Sequence, residues 1–222
     1  MFFSKLWEGF ATAFRGVPTT MGVSAVAVLI GLVLGLILAL MRLSRFKVLR
    51  GLSTLYIDIV RGTPLMVQAL IAAYGIPVLV QSMGVQWKWP HLVIPALLCC
   101  GLNSAAYMAE IVRGGLTAVD KGQMEAAQCL GMTHRQAMHL IIIPQALRLI
   151  LPPLGNEFVT MIKETAVLSV AGVTEITREG TLLSARTFDF FTAYVGVALV
   201  YLVFTITISK LVLYMEKRLK ME

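Results

Sequence analysis

Glu157 is the one ionisable residue in the run 149–162. In a helix it lies ~12 Å along the axis from residue 149, at 1.5 Å per residue. No basic residue stands three or four positions away, and Lys163 is six on. An ionisable group in an apolar environment of this kind costs at least ~2.5–3.5 kcal/mol to place. Three readings stand: a wet cavity in which a guanidinium or ammonium visitor compensates the carboxylate, a pair with Lys163 of a second subunit, or a protonated packing residue. Asn156 adjoins Glu157, and Asn103 falls ~16 Å along its own run from residue 92. Both amides suit the charged ends of a zwitterion, or simply bridge helices. Asp58 and Arg61 are three apart on one helix face and can pair, as can Glu110 and Arg113. Lys163 and Glu164 suggest part of a gate at the other end of the Glu157 run.

Covalent and nucleotide chemistry find no such support. No GxxxxGK[ST] phosphate loop occurs, and no Ser/His/Asp or Cys/His arrangement presents itself. His134 and His139 are five apart and share a helix face poorly, and His91 is far along the chain. No metal site and no cofactor are expected. Cys99, Cys100 and Cys129 form no CxxC, and helical neighbours such as the first two are poor disulfide partners.

Of 222 residues, 58% are hydrophobic and 14% charged, with a mean hydropathy of +0.81. Soluble domains run ~45–50% apolar and ~25% charged, so a soluble enzyme is excluded as the default, as are disorder and a disulfide scaffold. The net charge of +7 does not mark nucleic acid, because the basic residues follow the ends of apolar runs. The first long run, 18–41, is longer than a signal-peptide core and is retained as a span. The expected architecture is all-α, a single transmembrane domain over 1–222. Its five spans are near 18–41, 53–83, 91–112, 144–165 and 190–214, with a cytoplasmic helical loop over 113–143.

Orientation follows from Lys and Arg counts. Twelve flank one side, in the loop after the first span, in the 113–148 loop and at the C-terminal end. Five (Lys5, Arg15, Lys88, Arg178 and Arg186) flank the other. This places the N-terminus outside and the C-terminus in the cytoplasm. Trp7, Trp87 and Trp89 then all fall at the outer interface, where amphipathic rings settle. Residues 2–16 read either as an interfacial helix, from the spacing of Phe3, Leu6, Trp7, Phe10 and Phe14, or as an extension of the first span. Two spans open on helix-interrupting residues: Arg61-Gly62-Thr63-Pro64, and Pro152-Pro153-Leu154-Gly155. Interruptions of this kind mark transport pathways in some proteins and are plain kinks in others.

The loop 113–148 carries the clearest pattern. Residues 125–130 form a short helix that Gly131 is placed to end. Thr133 caps a second helix through Ile143, with Gln136 in the capping-box position, and Pro144 breaks it. Such a hairpin either passes a partner's motion to the spans or only connects them. Glu125-Ala126-Ala127, Gly131 and Ile141-Ile142-Ile143-Pro144 resemble the EAA loop of ATP-binding-cassette (ABC) importer permeases, with Ile143 where Leu is usual. Three further strings resemble the polar amino acid subfamily: Arg61-Gly62-Thr63-Pro64-Leu65 with Gln68; Asn103-Ser104-Ala105-Ala106-Tyr107 with Ala109-Glu110-Ile111 and Arg113; and Leu151-Pro152-Pro153-Leu154-Gly155-Asn156, followed by Lys163-Glu164-Thr165.

The resemblance implies a type I importer fold and a coupling role for Glu125, Ala126, Ala127 and Gly131 against a separate ABC ATPase dimer. It implies an extracytoplasmic amino-acid-binding protein and a permease homodimer or a heterodimer with a paralogue, in the lipid bilayer of the bacterial inner membrane. Substrate contacts then fall to Glu157, Asn156 and Asn103, and structural or gating roles to Asp58, Arg61, Pro64, Glu110 and Lys163. Glu157 leans toward cationic amino acids, although glutamine, glutamate and cystine permeases look similar. An ion-coupled carrier using Asp58, Glu110 and Glu157 as a relay leaves the hairpin without a role. A membrane scaffold gives no reason for Glu157.

Overall fold

The computed structural model describes residues 2–220. Helix α1 (Phe2–Phe14) turns at Arg15-Gly16 into α2 (Val17–Leu43). A broken third rod follows: α3 (Lys47–Gly62), α4 (Leu65–Leu70), a π-helical turn (Ile71–Gly75) and α5 (Ile76–Ser82). Next come α6 (Val93–Ala118), the short α7 (Lys121–Cys129) and α8 (His134–Ala137), a second π-helical turn (Met138–Ile142) and α9 (Ile143–Glu164), which tightens into a 3-10 turn (Thr165–Ser169). Helices α10 (Ile176–Thr187) and α11 (Phe190–Lys220) complete the chain. Among the described residues five helical stretches are long and apolar enough to cross a membrane.

Helix α1 is a separate element rather than a continuation of α2. It lies across α11 and α10, and the crossing is a backbone contact: a Cβ on Gly196 would come within 2.3 Å of the Gly9 carbonyl carbon. Lys5 pairs with Asp189 at 3.2 Å beside it. The start of α10 is anchored from several sides. Fully buried Glu175 caps it through the N–H groups of Thr177 and Arg178 and accepts from the Tyr201 hydroxyl. Burial pushes that carboxyl above its ordinary range, and these hydrogen bonds oppose the shift. Thr20 Oγ1 accepts from the N–H of Ile176.

The centre of the fold is the pair α2–α6. Lipid offers apolar side chains the same environment as a neighbouring helix, so close backbone approach through small residues supplies the attraction. The interface follows that rule: a Cβ on Gly31 would meet Ser104, and one on Gly35 would meet Met108 Cβ at 2.7 Å and Ala105 O at 2.9 Å. Ala27, Ala39, Ala105, Ala106 and Ala109 are fully buried in the same layer. Helix α6 runs on to Ala118, past the expected end at 112. Gly115 does not break it but lets α9 approach, since a Cβ there would strike Ile150 at 2.2 Å. Arg113 and Thr117 also add side-chain bonds along that last stretch.

Pro144 does not end the hairpin's second arm as the sequence suggests. The chain passes from α8 through the π-helical turn into α9. The N–H of Ile143 reaches back five residues to Met138 O, and Gln145 Nε2 donates to Ile141 O at 3.0 Å. The wider turn accommodates a ring that a regular helix interior would reject. The other π-helical turn stands in the same relation to Pro77, two residues beyond its end.

The close α2–α6 approach gives opposite expectations for two glycines of one helix. Gly35→Ala forces the helices apart and lowers thermal stability in detergent by ~1–3 kcal/mol. Gly22→Ala, where a Cβ meets nothing within 4 Å, gains up to ~1 kcal/mol of helix propensity. Melting curves of the two variants moving in the same direction would refute this packing account.

Candidate translocation cleft and coupling hairpin

The break between α3 and α4 is local and specific. Thr63 is extended (φ −120°, ψ 142°) and Pro64 follows at ψ 135°. Pro64 has no N–H, so it cannot donate to the carbonyl of Val60, its helical partner four residues back. Gln68 supplies the missing donor: its Nε2 reaches Val60 O at 2.7 Å, Thr63 O at 3.1 Å and Thr63 Oγ1 at 2.7 Å. Thr63 Oγ1 in turn donates to Ile59 O at 2.9 Å. The other end of the Gln68 amide accepts from Asn103 Nδ2 at 3.3 Å, tying the break to α6.

Beside this break lies a polar cleft of about 340 Å³, lined by Arg61, Gly62, Thr63, Pro64, Leu65, Asn103, Tyr107 and Glu164. Arg61 lays its guanidinium over the Tyr107 ring, 5.1 Å from the centroid. Asp58 takes no part: among the described residues it forms no ion pair with Arg61, and the expected Asp58–Arg61 pair is absent. The aromatic face of Tyr107 holds the cation instead. Arg61 and Glu164 form no ion pair with each other among the described residues, so the cleft keeps a cationic and an anionic wall. Asn103 is 3% exposed, and its Oδ1 has no hydrogen-bond partner. A buried carbonyl left in this state costs ~1–3 kcal/mol, and a donor arriving in the cleft would relieve it.

The other sequence candidates scatter around this cleft. Glu157 is buried at 8% exposure and accepts from Ser104 Oγ at 3.1 Å. It does not line the cleft, and no basic residue pairs with it among the described residues. Asn156, about 100° round α9 from that buried position, is exposed, and Lys163 is exposed as well. Glu164, expected with Lys163 to form part of a gate, is a wall of the same cleft as Arg61. Glu110 joins two arginines: Arg113 Nη2 donates to it at 2.8 Å, and Arg42 on α2 bonds its other oxygen. The role of Gln68 was legible only as a motif letter. The signal that could have found it is its position four residues after Pro64.

The hairpin is defined in detail. Asp120 caps α7 by accepting from Gly122 N. The helix ends in a Schellman turn, with Gly131 at φ +85° and N–H bonds from Met132 to Ala127 O and from Gly131 to Gln128 O. Thr133 and Gln136 form the reciprocal capping box of α8. The Glu125-Ala126-Ala127 motif divides by face. Glu125 and Ala126 are exposed, while Ala127 is 1% exposed, turned inward where α7 packs on α8 and the second π-helical turn. Among the described residues no group of three metal-binding side chains assembles.

Comparison with known proteins places this geometry. Residues 31–221 match the family described as binding-protein-dependent transport system inner membrane component. The chain is 36% identical to a probable glutamine ABC transporter permease protein of Bacillus subtilis (strain 168), covering 98% of this chain and 97% of that one. It is 34% identical to the arginine transport system permease protein of the same organism, over 93% and 91%. A crystal structure of an amino acid ABC transporter with histidines superposes with a TM-score of 0.88 at 40% identity, covering 98% of each chain.

Because a Cβ at Gly131 meets nothing within 4 Å, its constraint within the chain is backbone conformation rather than space. Gly131→Asn is therefore tolerated, whereas a β-branched residue in that left-handed conformation costs ~1–2 kcal/mol. In membrane vesicles, trypsin should cut at the exposed Lys121 and Arg135 several-fold faster in Gly131→Val than in Gly131→Asn. Equal rates would show that the turn does not set the hairpin.

Proposed function

The chain belongs to the binding-protein-dependent transport system inner membrane component family, as the permease subunit of an ABC importer, and we propose that it passes polar L-amino acids, cationic ones in particular. As a membrane component of this kind it works with a separate ATPase and a binding protein, and hydrolysis of ATP is not its own reaction. The observation that carries the substrate reading is the cleft. A guanidinium (Arg61) and a carboxylate (Glu164) wall one cavity without pairing with each other, beside the unpartnered Asn103 carbonyl.

A zwitterion complements both walls: its α-carboxylate suits Arg61, a bidentate donor, and its α-ammonium suits Glu164 and Asn103. The preference for a cationic side chain is supported by similarity to a permease named for arginine and to a structure determined with histidines. The second carboxylate, Glu157, lies seven residues and ~10 Å before Glu164 along α9, behind the cleft wall on this single chain, and in this reading it adds negative potential rather than a direct contact. Similarity to a permease named for glutamine favours a second reading, a neutral polar amino acid held by its main-chain charges alone.

In this reading two permease chains, identical or paralogous, enclose the path, with N-termini outside and C-termini in the cytoplasm. Asn156 and Lys163, exposed on the single chain, then face the partner chain or the path between the two. The exposed Glu125 and Ala126 face of α7 docks on the ATPase, while Ala127 and Gly131 hold that face in shape. Asp58 and Pro64 act as parts of the hinge region, and Glu110 holds α2 to α6 at the inner end.

The test is ATP-dependent uptake of labelled arginine, lysine, histidine and glutamine by cells with and without the chain. Arg61→Met and Glu164→Gln should each lower uptake at least ~10-fold, the loss of a hydrogen bond to a charged group. Loss confined to the cationic substrates in Glu157→Gln would mark that carboxylate as the side-chain determinant. Undiminished uptake of all four amino acids in the deletion strain would defeat the reading.

A further inference from the structure

Gln68 is bound at both ends, and the two ends do different things. Its Nε2 replaces the N–H that Pro64 lacks, closing the carbonyls of Val60 and Thr63 at the helix break. Its Oε1 accepts a hydrogen bond from Asn103 Nδ2. A primary amide held by its nitrogen has its orientation fixed. With Nδ2 engaged by Gln68, the part of Asn103 left without a protein partner is Oδ1, in a side chain that lines the cleft. Were Gln68 to present a donor toward Asn103, the amide would turn and offer the cleft an N–H in place of a carbonyl. Gln68 cannot do so, because its donors are committed to three oxygens at the break.

From this we infer that Gln68 is a positioning residue for the substrate. It reads the presence of the Pro64 break and fixes the Asn103 amide so that a carbonyl oxygen, an acceptor, is reserved for the ammonium group of the amino acid in the cleft. The inference rests on the reading of the cleft as the substrate site and adds to it the residue that sets the polarity of one wall. It also makes the proline functional: without Pro64, the Val60 carbonyl would find its donor in the backbone and Gln68 Nε2 would be released to turn toward Asn103.

The experiment is equilibrium binding of labelled arginine and labelled glutamine to the detergent-solubilised permease–ATPase complex, without ATP or binding protein. Gln68→Met should weaken binding about tenfold, the loss of one hydrogen bond to a charged group. Combining it with Asn103→Asp should restore binding to within about threefold, because a carboxylate presents an acceptor in either orientation. A residue that only staples the helix break would not be rescued by a change on α6. Unchanged binding in Gln68→Met, or failure of the double variant to recover while its melting temperature matches that of Gln68→Met, overturns the inference.

Should Gln68→Met not assemble, Gln68→Glu serves. It loses the donors to Val60 and Thr63 but still accepts from Asn103, so binding is expected to persist, and its loss in an assembled complex overturns the inference. Unchanged binding in Asn103→Ala, or binding of neither probe to the wild-type complex, overturns the cleft reading as well. If Asn103→Ala weakens binding while the double variant stays unrescued, the cleft reading stands and the role of Gln68 falls.

Discussion

A backbone carbonyl inside a bilayer has no water to turn to, so each interruption of a spanning helix needs a replacement donor or an altered turn. Three prolines show how this chain meets that demand. At Pro64 the helix opens fully, and the Gln68 side chain stands in for the absent N–H. At Pro77 and Pro144 the helix widens into a π turn two residues before the ring and continues. The difference has consequences for shape. The widened turns keep a continuous rod, whereas the open break exposes Gly62, Thr63 and Pro64 to a cavity and brings Arg61 to its wall. The cleft exists because one of three similar defects was satisfied by a side chain rather than by the backbone.

The second determinant is close packing through small residues. Gly31, Gly35 and the buried alanines draw α2 onto α6, and this approach seals Ser104 and, behind it, Glu157. The carboxylate that looks most like a substrate ligand in the sequence is thus packed away in a helix interface, with a serine hydroxyl as its donor. Burial of Glu157 and access to the cleft are two results of the same α6 surface: Ser104 faces the interface and its neighbour Asn103 lines the cleft.

What the sequence made legible was local or periodic. Apolar runs long enough to span, the Thr133–Gln136 capping box and the Gly131 turn each depend on residues a few positions apart, and each is present in the structure. The cleft depends on three separate rods, α3–α4, α6 and α9. The sequence reading placed Arg61 inside a span near 53–83 and Glu164 inside one near 144–165, but helical spacing carries no information on which residues of two different rods meet, so their shared cleft was not legible. Helix α3 begins at Lys47 and Arg61 stands at its far end, beside the break. The pairing of Asp58 with Arg61 failed for a related reason: helical spacing permits that contact, but the Tyr107 face on α6 competes for the same guanidinium. Ala127 was grouped with Glu125 and Ala126 by motif, and only packing separates an inward alanine from an outward one.

The placement of α6 links these parts into one mechanical unit. From Asn103 to Ala118 the helix is unbroken, ~22 Å at 1.5 Å per residue, and Asp120 caps α7 immediately beyond it. Arg42 on α2 holds α6 through Glu110, which Arg113 of the same helix also pairs, along the way, and Gly115 seats α9 against it. If α7 has the coupling role proposed for it, α6 is the continuous element that joins it to the Asn103 wall of the cleft. Facing it, Arg61 and Gly62 come from the end of α3 and Leu65 from the start of α4, on either side of the break that Gln68 bridges. The Gln68–Asn103 hydrogen bond ties that break to the unbroken α6 rod, next to the bond from the Tyr56 hydroxyl to Leu102 O, so the discontinuous rod and the continuous one share the cleft between them.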